Sequence, residues 1–204
     1  MRFVKPIENI WKIEVLRKRL ITTFFFIAIY RFGSFVVLPG VDPVQLQALQ
    51  SNASTGLLSL LDMFSGGAFA NASIFALGIM PYISASIVMQ LLGVALPYFQ
   101  KLQREGESGR TKMNQYTRYL TVMILLVQGP AYIYGALGAA VPGGFFDWVL
   151  PTTIILASGS MFVLWLGERI TDKGIGNGIS FIILIGIIAR LPHALIGEFD
   201  SRLR

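Results

Sequence analysis

Few side chains in this sequence could do covalent or metal chemistry, and those few stand apart. The one histidine, His193, sits in Leu191-Pro192-His193-Ala194 with no second histidine to share a metal. A metal site needs several converging ligands, so His193 reads as a structural residue at a membrane interface. Cysteine is absent, which removes disulfides, thiol nucleophiles and thiolate metal sites. No His/Asp/Glu cluster and no nucleophile beside a base can be assembled, so the sequence does not read as an enzyme and implies no cofactor. Gly174-Ile175-Gly176-Asn177-Gly178 has the glycine density of a phosphate-binding loop, but no strand precedes it and no lysine–serine pair follows. A tight turn into a helix accounts for it better. Asn52-Ala53-Ser54 and Asn71-Ala72-Ser73 match the glycosylation acceptor pattern, the second lying too close to an apolar run for use. Arg31 lies inside an apolar run, where a guanidinium snorkels or pairs within the protein; a buried structural partner is the favoured reading over a substrate-facing role.

The elements that carry these residues are apolar. Of 204 residues, 54% are hydrophobic and 14% charged, and mean hydropathy is +0.64, too apolar for an ordinary soluble surface. Apolar runs at 20–38, 72–96, 120–140, 149–166 and 175–196 are each near the roughly 20 residues a span requires. The expected fold is an all-α, polytopic membrane bundle of about five transmembrane helices. The basic residues occupy alternate connections: Arg2 to Arg19, then Lys101 to Arg118, then Arg169 and Lys173, with none in 39–71 or 141–148. By the positive-inside rule the N-terminus and Ser108 are cytoplasmic, while Ser51 and residue 204 are extracytoplasmic. The same distribution makes the pI of about 9.8 a matter of topology rather than of nucleic-acid binding.

Three segments depart from plain spans. Residues 11–18 read as an amphipathic surface helix rather than a cleavable signal, giving a cytoplasmic segment over 1–19 before the transmembrane part at 20–196. Residues 57–70 hold an apolar stretch too short to span and bounded by glycines. It suits either a re-entrant half-helix or a helix on the outer surface. In the second span Gly78 and Pro81 fall mid-run and should bend the helix. Ile79, Ile83 and Ile87 recur there on one face with Ser84 beside them, a pattern that by itself means helix packing or lipid contact.

Long blocks of the chain resemble the SecY family of bacterial protein-export channels. They are Phe64-Ser65-Gly66-Gly67 leading into 72–87, then Glu105-Gly106-Glu107-Ser108-Gly109-Arg110, Gln115-Tyr116-Thr117-Arg118-Tyr119, and 165–180 from Trp165 to Ser180. The resemblance implies half of a clamshell in the bacterial cytoplasmic membrane, which carries preproteins across and releases membrane helices sideways. It implies a pore ring of Ile79, Ile83, Ile179 and Ile183, since a narrow apolar ring excludes hydrated ions yet fits loosely around a polypeptide. It also implies a plug at about 57–70, with Leu57, Leu58, Leu60, Leu61, Met63, Phe64, Ser65, Gly66 and Gly67. Ser84, Ile87 and Gln128 match one side of a lateral gate, and Ile155 is expected to face lipid. The implied partners are SecE, SecG, the SecA motor ATPase or a translating ribosome, signal sequences, preproteins and membrane lipids. Family members have about ten spans. Residues 197–204 would then begin the extracytoplasmic hinge loop, and spans six to ten, needed to close a pore, lie outside this sequence. A five-helix half of a secondary transporter is the alternative, against which stands the lack of an acidic residue within the spans.

Overall fold

A computed structural model describes residues 13–42, 62–138 and 144–203. Among these the regular elements are all helical: α1 Glu14–Gly33, α2 Met80–Ala95, α3 Pro97–Arg104, α4 Glu107–Tyr132, α5 Leu150–Lys173 and α6 Gly178–Leu203. Single π-helical turns, Ile133–Leu137 and Phe145–Val149, extend α4 and lead into α5. The architecture is an all-α polytopic membrane bundle. Among the described residues, two continuous helices, Glu107–Leu137 and Phe145–Lys173, are long and apolar enough to cross a bilayer, and α2 with α3, bent by 100°, makes a third candidate. The outer two runs also form helices, α1 and α6, where expected. α1 carries Glu14, Arg17, Lys18 and Arg19 at one end and Arg31 at the other, with its apolar stretch between them.

The second span begins later than its apolar run. Residues 72–79 are successive turns, with Ala76 N–H donating to Ser73 O and Gly78 N–H to Phe75 O, each at 2.9 Å. Ala72 (φ 44°) and Gly78 (φ 50°) are left-handed, which no α-helix accommodates. Pro81 therefore sits in the first turn of α2, where its missing N–H costs nothing, and Gly78 and Pro81 start the helix instead of bending it at mid-span. The exposed backbone of this stretch is closed by residues 36–38: Leu38 N–H donates to Ala72 O and Ile74 N–H to Val36 O, each at 2.9 Å. Irregular backbone persists at membrane depth only when satisfied in this way.

Two boundaries differ from the sequence reading. Residues 14–19 are the first turns of α1, in one helix with the apolar residues that follow. Residues 197–203, expected to begin a loop, continue α6 through Leu203. From Ala194 to Leu203 Gly197 is the poorest helix former and there is no proline, and one glycine costs about 1 kcal/mol, too little to end a helix. The backbone of His193 is in α6; its side chain lies outside the described residues.

Two buried clusters hold the helices. One joins Tyr30 of α1, Phe75 and Ile79 before α2, Val163 and Leu166 of α5, and Ile182 of α6. The other joins Leu38, Ala72 and Ala76 to Tyr132, Leu137 and Leu156. Ile155 packs against this second cluster and is half-buried, whereas its neighbour Ile154 is exposed. A lipid-facing Ile155 is thus corrected by one position, the 100° that separates successive helical residues. Small residues allow the close approaches: a Cβ on Gly159 would collide with the carbonyl of Ile74, and one on Gly129 with Thr153.

Candidate functional site

Ile79 ends the run of turns before α2 and Ile83 lies in its first turn. Ile83 N–H donates to Ile79 O at 3.1 Å, so the two side chains stack along one face. Opposite them, α6 presents Ile182 and Ile183. Ile79, Ile83, Ile182 and Ile183 line one cavity of about 20 Å³, whose other wall includes Tyr30, Phe64 and Ser65. That volume admits about one water molecule, and its lining is almost wholly apolar. Ile179 does not line this cavity. One turn earlier on α6, it packs on the same buried cluster, with its Cγ1 against Gly167 of α5.

The segment beneath these isoleucines is folded on itself. Leu57, Leu58, Leu60 and Leu61 lie outside the described residues; 62–65 form one helical turn followed by turns through 72. Ser65 Oγ donates to Asp62 O at 3.0 Å and accepts from Phe69 N–H at 3.0 Å. The Asp62 carboxylate accepts from Ala70 N–H at 2.8 Å. Met63 and Phe64 are partly exposed, while Asp62 and Ser65 are buried. Gly66 (φ 65°) and Gly67 (φ 93°) turn the chain through left-handed conformations natural to glycine. The backbone of 64–66 lies so close to α6 that a Cβ on Gly186 would come within 2.8 Å of Phe64 O. Tyr30 and Arg31 donate to the carbonyls of Ser65 and Gly66, and Tyr132 donates to that of Phe69 at 2.9 Å.

Ser84 and Gln128 face each other across a separate groove between α2 and α4. It encloses about 540 Å³ and is lined also by Phe69, Leu77, Met80 and Tyr132. The α4 wall of the groove, Ala131 to Ala136, is where the helix passes into its π turn just after Pro130. Proline removes a helical hydrogen bond, and π turns recur at functional sites. Ile87, one turn beyond Ile83 along α2, is half-exposed and does not line the groove.

The glycine-rich turn before α6 is filled by the protein itself. Asn177 Oδ1 accepts from the N–H groups of Ile179 and Ser180 at 3.1 and 3.3 Å, and Thr171 Oγ1 accepts from Gly178 N–H at 2.9 Å. Thr23 Oγ1 of α1 accepts from Ile175 N–H at 3.2 Å, and Arg19 Nη1 donates to Gly174 O at 3.3 Å. The N–H groups of Gly174, Ile175, Gly178, Ile179 and Ser180, which a phosphate would need, are thus already engaged within the protein.

Sequence reasoning passed over Tyr30, Ile182 and Gly186. Only Gly186 left a signal, a glycine within an apolar helix, which is costly unless another backbone must come close.

The family model described as SecY matches residues 73–203. The chain is 50% identical over 186 residues to the "Protein translocase subunit SecY" of Pseudomonas aeruginosa, covering 90% of this chain and 42% of that protein. It is 41% identical over 203 residues to the subunit of the same name from Aquifex aeolicus, covering 96% and 47%. The counterpart from Escherichia coli is 45% identical over 186 residues. The chain thus spans less than half the length of these relatives. Among solved structures, "Sec61 in the Canine ribosome-channel complex from the endoplasmic reticulum" superposes with a TM-score of 0.55 at 18% identity, over 85% of this chain and 36% of that one. "The structure of a protein conducting channel" matches with the same values, and at this identity both likenesses speak to the fold alone.

Proposed function

The chain belongs to the SecY family, and from that premise we propose that it is the first half of a protein-conducting channel in the bacterial cytoplasmic membrane, made by residues 20–196 with a plug at about 57–70. The observation that carries this reading is the cavity in which Ile79, Ile83 and Ile183 face Phe64 and Ser65. An ion entering such an apolar constriction would shed water without gaining ligands, at a cost of several kcal/mol or more. An extended polypeptide has no full charge on its backbone and brings its own side chains to the same walls, so its penalty is smaller. Ile179 completes this half's part of the ring, and the second half supplies the opposite arc.

The groove holding Ser84 and Gln128, with Ile87 beside it, is on this reading one wall of the lateral gate. Its polar pair supplies hydrogen bonds when the gate is shut, and its apolar lining suits a signal sequence or a membrane helix leaving toward lipid. The N-terminus and the turn at 174–177 are cytoplasmic. SecE, SecG, and SecA or a ribosome are the proposed partners, and preproteins the cargo.

The test is Ile83→Ser with Ile183→Ser in the complete channel. A hydroxyl pair at the constriction should wet it, raising ion conductance during translocation with a smaller change in protein exported. Ile154→Ser, on the exposed side of α5, serves as control. Equal conductance in parent and double variant would overturn the pore assignment.

A further inference from the structure

The position of Arg31 is costly unless it does something. It sits in the last turn of α1 beyond a long apolar stretch, and a guanidinium in such a helix is kept where a partner compensates it. Its Nη1 donates to the carbonyl of Gly66 at 3.0 Å, and the hydroxyl of its neighbour Tyr30 donates to the carbonyl of Ser65 at 3.2 Å. Two successive residues of α1 thus grip two successive carbonyls of the segment beneath the isoleucine cavity.

We infer that Tyr30 and Arg31 form a latch that holds the 62–70 plug in place through its main chain and so sets how often the resting channel opens. This rests on the pore reading above. Three observations favour it. The segment is tied internally by Asp62 and Ser65, so it moves as one piece. Among the described residues it is also held nearer residue 72, where Tyr132 donates to Phe69 O and residues 36–38 pair with 72–74, so the α1 donors act on the Ser65–Gly66 part, away from that anchor. Finally, Gly66 meets α6 glycine to glycine, on Gly186, so at that contact only backbone packs. The hydrogen bonds from α1 add a directional hold to the packing of Phe64 in the isoleucine cavity and of Ala68 in the buried cluster. On release the Tyr30 ring remains stacked on Phe75, and Arg31 keeps its place over the Phe35 ring at 5.4 Å, so both donors wait in position for the plug to return.

Because the grip is on carbonyls, it is indifferent to plug side chains and sensitive to the α1 donors. The experiment is resting ion conductance of the complete reconstituted channel. The variants are Arg31→Met, Arg31→Lys, Tyr30→Phe, a deletion of 62–69, and Arg31→Met within that deletion. Arg31→Met should raise the conductance about tenfold, the scale of one lost charge-assisted hydrogen bond, and Arg31→Lys should restore most of the seal. Tyr30→Phe keeps the stack on Phe75 and should raise it about threefold. In the deletion background Arg31→Met should add nothing, since the plug it holds is gone. If the deletion leaks while Arg31→Met and Tyr30→Phe match the parent, the latch is wrong and the pore reading stands. A full additional leak from Arg31→Met in the deletion background would likewise overturn the latch, showing a general defect in α1. A deletion that does not leak overturns the pore reading and the latch with it. Should Arg31→Met fail to assemble, Tyr30→Phe decides by the same criteria.

Discussion

Asn177 illustrates how a residue can be read correctly by type and still have partners that are invisible in sequence. The glycine-rich run around it is legible as a turn because the strand and lysine–serine context of a phosphate loop is missing. That its amide groups are consumed by Asn177, Thr171 and, from 152 residues away, Thr23 could only be seen once the fold brought them together. Asn177 is a side-chain cap on the start of α6, so Asn177→Ala should cost about 1 kcal/mol. Thermal unfolding of the purified complex would register this as a modest fall in Tm, and no fall would mean that Asn177 caps nothing. Arg31 gives the complementary lesson. Its need for a partner follows from charge in an apolar run, but the partner is a backbone carbonyl, which any residue carries and no sequence pattern marks.

At the scale of elements, the apolar runs were enough to place the helices, and their ends were less legible. The second run looks continuous from 72 to 96, yet its first third is turns, because a left-handed residue leaves no hydropathy signature, least of all when it is Ala72. The isoleucine face survived that error because turns through Ile79 still deliver a hydrogen bond to Ile83. Packing between elements depends far more on small residues than on ion pairs. Arg118 of α4 meets Glu168 of α5 at 2.7 Å, but both side chains are substantially exposed. Arg118→Gln should therefore change stability by about 1 kcal/mol at most. Gly159→Leu should do much worse, since even its Cβ would strike the carbonyl of Ile74 and drive α5 off the turns that position Ile79. Detergent-resistance and yield of the two complexes compare them directly; a fragile Arg118→Gln beside a robust Gly159→Leu would contradict the ordering.

For the whole molecule, orientation follows from loop charge rather than from any contact. Ser108 at the start of α4 and Phe146 before α5 are both exposed, at opposite ends of the bundle. The chain has no cysteine of its own, so single substitutions report cleanly. A membrane-impermeant thiol reagent added outside intact cells should label Phe146→Cys and spare Ser108→Cys. The reverse pattern would invert the topology. The staple between α1 and the 174–175 turn has a further consequence, one of timing. Its two hydrogen bonds span 152 and 155 residues of the 204 in this half. At about 5–20 residues per second of synthesis, α1 emerges roughly 8–30 s before the residues that fasten its N-terminal end exist. The N-terminal end of the first helix is thus among the last parts to be fastened, long after its other end has met residues 65–74, and this half of the bundle closes late in its own synthesis rather than helix by helix.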